Sequence, residues 1–94
     1  MRDYELTLVI DPDLTEESQK KLTTKIKKVV LDLKGKVEKT TDWGKKELAY
    51  PIKKKTQGAY FLWAVKLPAE APAELDRKLR HEEGLLRYLL VKKD

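Results

Sequence analysis

The stretch Trp43-Gly44-Lys45-Lys46-Glu47-Leu48-Ala49-Tyr50-Pro51-Ile52, continuing through Lys53-Lys54-Lys55-Thr56-Gln57-Gly58 to Ala59-Tyr60-Phe61-Leu62-Trp63, decides how the rest of the chain is read. Two extended, aromatic-bearing runs flank a polar loop with three lysines, which predicts a β-hairpin with Gly58 at the loop exit. Upstream of Gly44 the apolar residues fall on odd positions (Val37, Trp43); downstream they fall on even ones (Leu48, Tyr50, Ile52). Side chains alternate faces along a strand, so this change of parity requires one extra residue. A β-bulge at Gly44 supplies it, because glycine adopts the backbone angles that a bulge needs.

Working outward, the hairpin becomes the middle of a larger pattern. Tyr4, Leu6, Leu8 and Ile10 alternate with Glu5, Thr7 and Val9 and predict a first strand, ended by Asp11-Pro12-Asp13. Thr15 is a suitable helix N-cap, with Glu16 and Glu17 in the positive first turn. Leu22, Ile26, Val29, Val30 and Leu33 then keep helical spacing, with Gly35 as the expected C-terminal stop. The lysines of this helix (Lys20, Lys21, Lys25, Lys27, Lys28) read as a solvated face balanced by glutamates. Strand two is expected from Lys36 to Ile52 and strand three from Ala59 to Leu67. Strand three is apolar on both faces, as central strands are. A short second helix begins near Glu70 to Pro72, has Leu75 and Leu79 as its core pair, and stops at Gly84. Leu85 to Val91 form the last strand, followed by Lys92-Lys93-Asp94.

The order is β-α-β-β-α-β, which predicts an α+β, ferredoxin-like fold: a four-stranded antiparallel sheet with both helices on one face. The 94 residues form one domain spanning 1–94, with no repeat and no linker. Helices cover only one face of such a sheet. Yet Tyr60, Leu62 and Ala64 of strand three, and Leu89 and Val91 of strand four, place apolar side chains on the other. An open apolar patch on a small domain marks a protein-partner face.

Composition narrows the chemistry. The chain is 39% charged with a net charge of +5, which suits a polyanionic partner. There is no cysteine and a single histidine, His81, so neither a metal site nor a cofactor is expected. Ser18 and His81 lie in different elements and build no triad. Glu82 and Glu83 are adjacent in sequence and point apart. The four glycines are isolated, which excludes a phosphate loop, and the chain has no asparagine, which excludes acylphosphatase-like chemistry on this topology. No catalytic residue is assigned. Neither a signal peptide nor an apolar run long enough for a membrane span is present, so a cytoplasmic location is expected. A free-standing single-strand binder of the RNA-recognition type shares the topology, but at Gln57-Gly58-Ala59-Tyr60-Phe61 the basic residue is replaced by Gln57 and the first stacking position by Ala59.

The residues converge on a family. Met1-Arg2-Asp3-Tyr4-Glu5 with Val9-Ile10-Asp11-Pro12, then Trp43-Gly44, Leu48-Ala49-Tyr50-Pro51-Ile52 and Gly58-Ala59-Tyr60, then Leu85-Leu86-Arg87-Tyr88-Leu89-Leu90-Val91-Lys92, resemble the bacterial small-subunit (30S) ribosomal protein six family along nearly the whole chain. The resemblance implies a non-enzymatic structural constituent of the small ribosomal subunit. It implies binding to the central domain of 16S-type ribosomal RNA together with ribosomal protein eighteen. Many relatives carry a longer charged tail, and no role of such a tail is expected here. By position, Arg2, Arg80, Arg87, Lys92 and Lys93 are the expected RNA contacts, with Lys54 and Lys55 of the hairpin loop beside them. Arg87 stands among apolar strand residues, where a charge must meet water or a phosphate. Trp43 and Trp63 are expected to be packing residues.

Overall fold

In the computed structural model, which describes residues 1–93, the elements follow the expected order. They are β1 (Arg2–Ile10), α1 (Glu16–Asp32), β2 (Lys36–Ile52), β3 (Lys55–Leu67), α2 (Ala71–Leu79) and β4 (Leu85–Lys92). The strands form one antiparallel sheet in the order β2-β3-β1-β4, so β2 and β4 are its edges. Leu6, Leu8 and Ile10 of β1, Ala59, Trp63, Val65 and Leu67 of β3 and Leu85 of β4 meet Leu22, Ile26 and Val30 of α1 and Ala71, Leu75 and Leu79 of α2 in one buried cluster. Both helices therefore cover the same face, and the fold is ferredoxin-like.

α1 begins as its sequence dictates: the Thr15 hydroxyl accepts the Ser18 amide at 3.1 Å. Its end corrects the expectation for Gly35. The Gly35 amide donates to the Val30 carbonyl and the Lys34 amide to that of Leu31, both at 2.9 Å. In this Schellman ending the left-handed residue is Lys34 (φ 66°), one position earlier. Gly35 serves contact instead: a Cβ there would stand 2.6 Å from the Lys66 carbonyl oxygen. α2 likewise stops before Gly84. It ends at Leu79, and turns through Glu82 lead into β4.

The hairpin departs furthest from its reading. Its loop is the dipeptide Lys53-Lys54, both left-handed (φ 50° and 66°), closing the pair Ile52↔Lys55. Gly58 is not a loop exit but a buried interior residue of β3, where a Cβ would meet Val9 Cγ1 at 2.4 Å. The Gly44 bulge is present: pairing shifts between Asp42 and Gly44, and Gly44 has φ 76°. A second shift falls between Val37 and Lys39. A third leaves Leu48, Ala49, Tyr50 and Pro51 between the consecutive pairs Glu47↔Gln57 and Ile52↔Lys55. Within β2, Val37 opposes buried Val65 on the helix side, whereas Leu48 lies beside Gly58 and Val9 on the other.

Candidate nucleic-acid and partner interface

The face away from the helices is built by register. Reading β4 to β2, three rows cross it: Val91, Glu5, Ala64 and Lys39; then Leu89, Thr7, Leu62 and Thr41; then Arg87, Val9, Tyr60 and Gly44. All five residues expected on a partner face (Tyr60, Leu62, Ala64, Leu89, Val91) fall in these rows. Leu89 is 53% exposed and Val91 47%; Tyr60, Leu62 and Ala64 are half-buried by their neighbours. The face is apolar in stripes and not throughout, since Glu5, Thr7 and Arg87 stand among the aliphatic groups. At the Val9 end the chain partly covers itself. Arg87 donates a 2.7 Å hydrogen bond to the Tyr50 hydroxyl, and Val9 beneath is 4% exposed. A shallow cavity of about 180 Å³ lies there, lined by Thr7, Val9, Tyr60, Arg87, Tyr88 and Leu89.

The seven cations expected to meet RNA do not form one patch. Arg2, Lys92 and Lys93 share an end of the β1–β4 pair: Lys92 opposes Tyr4, and the Lys93 amide donates to the Asp3 carbonyl at 2.8 Å. Arg2 and Lys92 are exposed and in no ion pair among the described residues, while Lys93 Nζ lies 2.9 Å from Glu5 Oε2. Arg87 is exposed farther along the β4 edge. Arg80 follows α2 and pairs with Asp76, which also accepts the Tyr88 hydroxyl. The Tyr88 hydrogen bond, then Arg80, holds the Asp76 carboxyl below its ordinary range, and Asp76 in turn raises Arg80. Burial, then Asp76, pushes the Tyr88 phenol up.

Lys54 is exposed at the opposite end of the sheet. Lys55 beside it is engaged by the Asp13 carboxylate and by Asp11 at 3.5 Å. The Asp13 hydrogen bond raises the Lys55 ammonium, and Lys55 lowers Asp13. This lysine clasps the hairpin loop to the turn after β1. Its charge is already neutralised, so it is the poorest of the seven as a phosphate ligand.

Of the two tryptophans, Trp63 is core, 1% exposed, with the Lys27 ammonium 5.6 Å from its ring centroid. Trp43 corrects the expectation of packing: it is 50% exposed. The signal for this was the Gly44 bulge, since a residue skipped by strand pairing loses its place on the pleat. Lys39 and Lys46 of β2 also stand on the open side, opposite Ala64 and Gly58. Of the β3 aromatics, Phe61 and Trp63 take the helix side and only Tyr60 the open side, which removes the stacking row of an RNA-recognition motif.

Fold and surface together define a small basic ferredoxin-like domain whose uncovered sheet face is fit for docking. The sequence profile of the family described as Ribosomal protein S6 matches residues 3–92. The chain is 39% identical to the small ribosomal subunit protein bS6 of Caldanaerobacter subterraneus subsp. tengcongensis, covering 100% of this chain and 99% of that protein. It is 41% identical to bS6 of Clostridioides difficile, covering 97% and 98%. The crystal structure of 30S ribosomal protein S6 from Thermotoga maritima matches with a TM-score of 0.90 at 28% identity, covering 98% of this chain and 87% of that one. The chain belongs to the ribosomal protein S6 family of the bacterial small subunit. Members are structural proteins of that cytoplasmic particle and not enzymes.

Proposed function

We propose that the chain binds small-subunit ribosomal RNA, in the central domain of the 16S-type molecule, jointly with ribosomal protein eighteen. The partner protein lies over the Leu62, Ala64, Leu89 and Val91 surface, and cations of the β4 edge, with Arg2, reach phosphates. The observation that carries this reading is the uncovered sheet face, on which Leu89 and Val91 remain about half exposed beside Arg2 and Lys92, which are exposed and in no ion pair among the described residues. Apolar area of this kind contributes about 25 cal/mol per Å² when a partner removes it from water. The cations add a salt-dependent term by releasing counterions.

Gel shifts with a central-domain RNA fragment, with and without ribosomal protein eighteen, test it. Binding is expected to be weak for the chain alone, tight for the pair, and steeply weakened by salt. Leu89→Asp is expected to leave the fold intact and abolish the gain from the partner. Equal RNA affinity with and without the partner would overturn joint binding, and failure of the chain to sediment with small subunits would overturn the reading altogether.

A further inference from the structure

Trp43 is the extra residue of the Gly44 bulge. Asp42 pairs with Phe61 and Gly44 with Tyr60, neighbours on β3, so Trp43 has no opposite number. The bulge is locked from within: the Gly44 amide donates to Asp42 Oδ1 at 2.7 Å, and Gly44 takes a left-handed conformation that glycine adopts without strain. A bulge of this kind re-aims a side chain. The result is an indole half exposed on an edge strand, in a chain whose other tryptophan is almost wholly buried. The fold thereby leaves in water the side chain with the largest apolar surface.

One cation attends the Trp43 ring. The Lys46 ammonium lies 5.6 Å from its ring centroid. Lys46, opposite Gly58 on the open side, is in no ion pair among the described residues, and neither is Lys39 of the same strand, whereas Lys45 opposes Ala59 on the helix side, where its charge acts on Asp13. The Asp42 carboxylate keeps its charge but accepts from the Gly44 amide and stands opposite Phe61, on the helix side. A tryptophan that anchors a protein interface fills an apolar pocket of the partner, and interface cores are depleted of charged residues, a setting that the Lys46 ammonium beside the ring does not suit. A half-exposed indole with a lysine ammonium beside its ring complements a nucleotide, which brings a flat base and an anionic phosphate together. The base must be unpaired, because bases within an A-form helix offer no free face.

We infer that Trp43 is a stacking platform for an unpaired nucleobase of RNA, with Lys46 against a flanking phosphate. This deepens the RNA-binding reading above and rests on it. The β2 edge then holds RNA on the side of the sheet opposite to β4, so the partner protein lies between two strips of RNA contact.

The test uses the chain with ribosomal protein eighteen and a central-domain RNA fragment. Ultraviolet irradiation followed by trypsin and mass spectrometry is expected to find a nucleotide adduct on the peptide 40–45, which carries Trp43. Trp43→Ala is expected to lower RNA affinity roughly 5- to 100-fold with an unchanged salt slope, and Trp43→Phe to restore most of it. Trp63, inaccessible to acrylamide, serves as the internal fluorescence reference, and a matched urea midpoint confirms that the variant folds. Adducts confined to other peptides with undiminished affinity of Trp43→Ala would overturn the stacking role and leave the RNA-binding reading standing. Weakened association of Trp43→Ala with ribosomal protein eighteen in the absence of RNA would reassign Trp43 to the protein interface. No RNA binding by the wild-type pair would remove both.

Discussion

The Arg87 guanidinium donates to the Tyr50 hydroxyl at 2.7 Å, joining the two edge strands of the sheet across β1 and β3. Three strand spacings amount to about 14 Å, too far for strands lying flat. The four residues 48–51, set between consecutive ladder pairs, let β2 arch over the open face and bring the phenol to the arginine. Both groups are exposed, so the bond contributes modestly. A double-mutant cycle of Tyr50→Phe and Arg87→Ala in urea is expected to give a coupling of about 0.5–1 kcal/mol. A coupling of zero would mean that the arch is held by Leu48 over Gly58 alone.

Beneath that arch, Gly58 has no room for a side chain. A Cβ would lie 2.4 Å from Val9 Cγ1, and Val9, branched at Cβ and nearly buried, cannot swing aside. Gly58→Ala is expected to destabilise by about 1–3 kcal/mol through overpacking. Val9→Ala made in the same chain is expected to recover much of that loss, because it removes the colliding methyl. Gly44→Ala provides the contrast: nothing lies within 4 Å, and only the positive φ opposes it. Its cost should be about 1 kcal/mol and insensitive to Val9. Urea midpoints for the three single variants and the Gly58–Val9 pair check the set.

The elements were legible in the sequence because period-two and helical patterns survive wherever one face is buried. The apolar face of Leu22, Ile26 and Val30 and the alternation of Leu6, Leu8 and Ile10 have no other reading. The glycines were harder. Gly35 and Gly58 resemble a helix stop and a loop exit, but each answers to a distant neighbour, the Lys66 carbonyl and Val9 respectively, that no local pattern reveals. Lysines at 34, 53 and 54 took the left-handed positions instead. The apolar residues of the open face could be gathered from strand parity. The cations could not be sorted, because whether Lys55 is free depends on Asp11 and Asp13, some forty residues earlier.

Asp76 sets part of the acid response. Its carboxylate accepts from Tyr88 and pairs with Arg80, and its titration lies below the ordinary 3.8. A depressed carboxyl contributes stability that is fully present above its ordinary value and is lost as pH falls through the lower, folded value. Asp13, held down by Lys55, acts in the same direction. Unfolding measured between about pH 5 and pH 2 is therefore expected to show a shallower acid limb for Asp76→Asn than for the wild type, and shallower still for the pair with Asp13→Asn. Parallel curves for wild type and variants would contradict the assigned shifts. Tyr88 works at the other end: its phenol is raised above 10.0, so its contribution holds below that value and is lost as pH climbs through the raised one.

Counterion release separates free cations from neutralised ones. Each lysine or arginine seated on a phosphate contributes close to one unit to the dependence of log affinity on log salt. Arg2 and Lys92 are exposed and unpaired among the described residues, whereas Lys55 already faces two carboxylates. For the complex with ribosomal protein eighteen, Lys92→Ala and Arg2→Ala are each expected to reduce the salt slope by about one and to weaken binding to all RNA sequences alike. Lys55→Ala is expected to leave the slope unchanged and to appear instead as a lower urea midpoint, since it unfastens the hairpin loop from the β1–α1 turn and leaves Asp13 unpaired. A fall in slope with Lys55→Ala would mean that RNA displaces the aspartates from this lysine. The clasp would then open on binding, and the hairpin tip would belong to the RNA interface after all.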